Sequence, residues 1–115
     1  MVVDIAGIRR EISVHAVDQK TLIEAVLAGG RDIAGLHPGE KELLALVRAK
    51  EGEWFLSSQD LGCLRGGKAL GLLDRFVSLE ELGQAVGVRR RIGYRNHFTK
   101  GWLSEMRTRL RLGTI

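Results

Sequence analysis

The chain has 115 residues, 44% hydrophobic and 28% charged, with a net charge of +4 and one cysteine, Cys63. That length supports one domain with a real core, and the apolar content argues against wholesale disorder. Charges interrupt every apolar run short of the roughly 20 residues a membrane span needs, the N-terminus lacks a signal-peptide pattern, and a lone cysteine forms no internal disulfide, so a cytoplasmic protein without membrane contact is expected.

Ile12, Val14 and Ala16 alternate with Glu11, Ser13 and His15, which predicts a half-buried strand over about Arg10 to Val17. Asp18 is placed to cap a helix carrying Leu22, Ile23, Val26 and Leu27, stopped by Gly29 and Gly30. A second helix opens with Pro38 in its first turn and runs to about Lys50. The apolar run Trp54 to Ser57 reads as a buried strand, and Leu61 to Leu73 as a glycine-spaced helical segment. Phe76 to Leu79 is a candidate short strand, Glu80 to Val86 a candidate helix, and Leu103, Met106 and Leu110 recur at helical spacing near the end. Strands separated by helices predict an α/β fold: a short, mostly parallel sheet with flanking helices over residues 1–88, followed by a basic helical tail over 89–115.

Two acids stand out against this frame. Glu40 shares a helix face with Leu43, Leu44 and Val47, and Asp60 ends the run from Trp54. In an open α/β sheet, ligands gather beyond the C-terminal ends of the strands, where Asp60 would lie. Two carboxylates with water and substrate phosphate suffice to hold Mg²⁺ or Mn²⁺, and such an ion stabilises charge in phosphodiester cleavage. The structural alternatives are a helix-dipole role for Glu40 and an N-cap role for Asp60. Glu42 lies on another face, as a weaker ligand candidate or a solvent-facing charge.

Between Arg89 and Arg111 there are eight basic residues against one acid, Glu105, while the rest of the chain holds 10 basic and 13 acidic residues. A basic tail on a mildly acidic body suggests contact with a polyanion. The stretch Gly62 to Lys68 fits the spacing of a phosphate-binding loop, but Ala69 replaces the Ser or Thr that would ligate magnesium. Close packing is the simpler role for those glycines, with Arg65 and Lys68 as phosphate contacts beside Asp60. Leu79 to Arg91 resembles the first helix and turn of a helix-turn-helix, with Gly83 and Gly87 at the small-residue positions. Arg89, Arg90, Arg91 and Arg95 would then face nucleic acid. His15, His37 and His97 form no ligand cluster by spacing, and Cys63 reads as a small buried hydrophobe.

The segment from Leu36 to Leu82 resembles the second half of a PIN domain, the α/β fold of small metal-dependent ribonucleases and toxin components. The likeness rests on Glu40 before Leu43-Leu44-Ala45-Leu46, on Ser58-Gln59-Asp60 after an apolar run, and on Phe76-Val77-Ser78-Leu79 leading into Glu80-Glu81-Leu82. It implies that Glu40 and Asp60 are the third and fourth metal-binding, catalytic acids, with Ser58 beside the metal or its water. The family's first strand and first two acids have no counterpart here: the resemblance implies either a truncated or divergent member, or a missing part supplied by another chain, as in a homodimer. The expectation is a PIN-like RNA-binding protein, as a Mg²⁺- or Mn²⁺-dependent ribonuclease or a degenerate relative, with an antitoxin-like partner. The alternatives are a DNA-binding regulator using residues 79–95 and a protein-interaction module.

Overall fold

The computed structural model describes residues 16–52, 54–85 and 95–115. Helix α1 spans Gln19–Gly29, α2 Arg31–Ala34, α3 Pro38–Ala49, α4 Leu61–Ala69, α5 Leu79–Ala85 and α6 Lys100–Leu112, with single 3-10 turns at Leu73–Arg75 and Asn96–Phe98. Local chemistry sets most of these ends. Asp18 accepts a 2.8 Å hydrogen bond from the Thr21 N–H and so caps α1, which also holds its carboxyl below the usual range. Gly30, at φ 65°, takes the left-handed turn that ends it. Pro38 occupies the first turn of α3, where a missing N–H costs nothing. Ser78 and Glu81 form a reciprocal cap: the Ser78 hydroxyl accepts from the Glu81 N–H at 3.0 Å, and Glu81 accepts from the Ser78 N–H at 3.1 Å.

The expected α/β fold with a parallel sheet is not what forms. Among the described residues there is no strand, and the two runs read as strands, Trp54 to Ser57 and Phe76 to Leu79, meet in a single parallel bridge between Leu56 and Phe76. Caps cut both runs short. Ser58 accepts from the Asp60 N–H at 3.1 Å and Asp60 opens α4, while Ser78 opens α5 two residues after Phe76. A helical fold does not fit the PIN resemblance, which is withdrawn. Residues 10–15 of the strand expected over Arg10 to Val17 lie outside the described residues.

The core is helix on helix, with the bridge packed into it. Ile33, Leu44, Leu64, Phe76, Leu103 and Leu110 are at most 2% exposed. The glycines of α4 permit the close contact. A Cβ on Gly67 would stand 2.2 Å from Cε2 of Phe76, and one on Gly66 about 3 Å from Ile33, Leu36 and Leu44 side chains. Gly62, Gly66 and Gly67 thus lie within a packed helix, not in a phosphate-binding loop. Helix α6 joins the same core through Trp102, Leu103 and Leu110, capped by the Thr99 hydroxyl and closed by Gly113 at φ 72°.

Candidate functional site: an acid-lined cleft

A cleft of about 350 Å³ opens where the N-termini of α3 and α4 approach, lined by His37, Gly39, Glu40, Leu43, Ser57, Ser58, Gln59, Asp60 and Cys63. Both acids singled out in the sequence reach it, from separate elements. Glu40, half-buried, is the third residue of α3. Asp60 is the N-cap of α4: its Oδ1 accepts from the Gly62 N–H at 2.7 Å and the Cys63 N–H at 3.3 Å. The capping role and the cleft position coexist, since one carboxylate oxygen serves the helix and the residue stays exposed. Two helix N-termini favour negative charge here, which helps hold two carboxylates in one opening.

Cys63 forms the buried floor. Its thiol is pushed up to about 11, chiefly by burial, with the nearby Glu40 and Asp60 carboxylates adding to the effect and a hydrogen bond with Ser58 opposing it. It is therefore a protonated wall at neutral pH and not a nucleophile. His37 is the N-cap position of α3 yet makes no capping bond, and its exposed ring stands at the rim. His37 lies three residues before Glu40 and Cys63 three after Asp60, so each is near one acid in sequence; spacing alone does not show that all four share one cleft. The one available signal was Pro38, which fixes the start of α3 and so the place of His37.

The donor set has the chemistry of a hard-cation site: carboxylate and hydroxyl oxygens open to water. Among the described residues, no three His, Cys, Asp or Glu side chains gather closely enough to hold a metal ion. An ion here would keep most of its shell as water or substrate oxygen. Glu42 is exposed and lies outside the cleft.

The basic residues are distributed differently from expectation. Arg65 and Lys68 line a separate cleft of about 340 Å³ with Asp32, Ala69, Leu110 and Ile115. Lys68 donates from Nζ to the Leu110 carbonyl at 2.7 Å, near the end of α6. Arg107 donates from Nη2 to the Phe76 carbonyl at 2.9 Å while its buried Nε finds no partner, and Arg111 pairs with Asp74. Arg95 is exposed; Arg89, Arg90 and Arg91, with most of the helix-turn-helix candidate after α5, lie outside the described residues. No described helix is long and apolar enough to cross a membrane. Comparison with protein-family models, with curated proteins and with solved structures finds no match.

Proposed function

We propose that the acid-lined cleft binds a hydrated divalent cation, Mg²⁺ or Mn²⁺, and that the protein uses it to engage RNA and hydrolyse its phosphodiester bonds. The observation that supports this reading is the convergence of Glu40 and Asp60, from two helices, on one open polar cleft. Two carboxylates without a cation would repel a phosphate; with one, the cleft becomes attractive to it. The ion would supply charge stabilisation at the phosphate and polarise a water. The chain's own residues would hold the ion through Glu40 and Asp60. Ser58 and His37 offer hydrogen-bonding groups at the rim, and exposed Arg65 and Arg95 offer contacts to the RNA backbone.

Calorimetric titration of Mn²⁺ tests the reading, with Glu40→Gln and Asp60→Asn as controls. Asparagine is as good an N-cap as aspartate, so Asp60→Asn removes the charge and keeps α4. Saturable binding to the native chain that both variants lose is the expected result. RNA cleavage should disappear with it. A native chain that takes up no ion, or cleavage that survives both substitutions, ends the proposal.

A further inference from the structure

Pro38 fixes the first turn of α3 and leaves His37 at the N-cap position, at φ −59° and ψ 143°, where its side chain caps nothing. The ring is exposed and lines the same opening as Glu40 and Asp60. Among the described residues, no hydrogen bond or ion pair engages it. The other side chains of the cleft are poorly suited to hand a proton to a reacting atom. Carboxylates that hold a cation act as acceptors only, and the Ser57 and Ser58 hydroxyls and the Gln59 amide are far too weak as acids. Cys63 is buried, its thiol pushed up to about 11. Imidazole is the side chain that both carries and releases a proton around neutral pH.

We propose that His37 is the general acid of phosphodiester cleavage in this cleft, an inference that rests on the cation reading above. Cleavage forms a bond from a water oxygen to phosphorus and breaks the bond to the leaving sugar oxygen, which keeps the electron pair. A sugar alkoxide leaves poorly unless it is protonated as it departs. The His37 imidazolium gives its N–H proton to that oxygen. The attacking water releases a proton to solvent, and solvent reprotonates the ring.

Charge and position agree with this role. A divalent cation offsets Glu40 and Asp60, and the imidazolium offsets the charge of the phosphodiester, so the loaded cleft is close to neutral. The ring stands at the rim, where a departing strand must pass to reach solvent, and Cys63 closes the floor.

His37→Gln on the full chain removes the acid and leaves Glu40 and Asp60 in place. Calorimetry should then show Mn²⁺ uptake close to that of the native chain. RNA cleavage should fall by about 10²–10³-fold. A nitrophenyl phosphodiester, whose leaving group departs without a proton, should still be cleaved at nearly the native rate. In the native chain, substoichiometric Mn²⁺ should broaden the His37 ring resonances in the NMR spectrum, a readout that needs no turnover. Undiminished RNA cleavage in the variant, an equal loss on both substrates, or ring signals that the ion leaves sharp overturns the assignment. The two readings fail separately. A native chain that takes up no Mn²⁺ or cleaves neither substrate ends the cation reading and this role with it, whereas a native chain that does both, beside a variant lacking the expected pattern, ends the role of His37 alone.

Discussion

In the cleft at the N-termini of α3 and α4, Glu40 and Asp60 present their carboxylates to an opening; along α6, Arg107 and Arg111 spend their charge on the Phe76 carbonyl and on Asp74. The two regions answer the same question in opposite ways. A charged residue is available to a ligand only if the fold has not already given it a partner. Asp60 manages both roles because a carboxylate has two oxygens, and helix capping occupies one of them. Lys68 and Arg107 instead clip α6 to α4 and to the bridge, satisfying carbonyls near the core. The tail's positive charge is thus in part structural, so the count of arginines overstates the charge left free for a polyanion.

The largest expected effect tests the floor of the cleft. Cys63 is fully buried, and its thiol is raised from 9.0 to about 11. A raised value means that the folded state holds the proton more tightly than the unfolded one. The stabilisation is therefore complete below about pH 9 and drains away as pH rises through about 11. It amounts to about 2–3 kcal/mol. Urea unfolding of native protein and Cys63→Ala at pH 8 and pH 11 measures it. The variant should be less stable at the lower pH, and the gap between the two should narrow by about that amount at the higher one. A gap independent of pH would mean that the thiol is not shielded as the geometry requires.

Arg107→Met probes the opposite region. The Phe76 carbonyl loses its donor, but the buried, unpartnered Nε is removed at the same time. The two changes oppose each other, and a net loss of about 1.5 kcal/mol is expected from chemical denaturation. Unchanged stability would show the arginine to be a surface charge after all, free to contact a polyanion.

Much of the helix layout was legible because helix ends are written locally. Asp18, Gly30 and Pro38 act through their own side chains or φ angles, within a few residues of the boundary they set. The strands were misread for a physical reason. A four-residue apolar run such as Trp54 to Ser57 has the same pattern whether it pairs along a sheet or crosses a helical core once, and only the neighbours decide. Those neighbours were helix caps, Asp60 and Ser78, whose capping role competed with strand extension. Glu40 and Asp60 do line one cleft, but the buried strand expected to bring Asp60 there does not exist: of Trp54 to Ser57 only Leu56 is buried, and Asp60 reaches the cleft as the N-cap of α4. That His37 and Cys63 share their cleft was not legible, because it depends on the packing of α3 against α4.

Asp60 allows its two roles to be separated. Asp60→Ala removes both the cap and the charge and should cost about 1 kcal/mol, whereas Asp60→Asn should cost only a few tenths. Thermal unfolding of the two variants side by side measures the difference. If both lose the same amount, the carboxylate charge at the α4 dipole, and not the cap geometry, holds the helix end.

The smallest effect should come from the ion pair between Arg111 and Asp74. Its side chains are 50% and 82% exposed, so water screens the attraction and ordering two long groups offsets most of the gain. Arg111→Ala should change stability by less than about 0.5 kcal/mol, and less still in high salt. The contrast with Arg107 is the informative part. Both arginines lie on α6, but Arg107 serves a carbonyl of a buried residue and Arg111 serves an exposed acid. Arg111 can therefore leave Asp74 for a phosphate at little cost, while Arg107 cannot leave Phe76. Should Arg111→Ala cost as much as Arg107→Met, the pair is part of the clip, and α6 has still less charge to offer a polyanion.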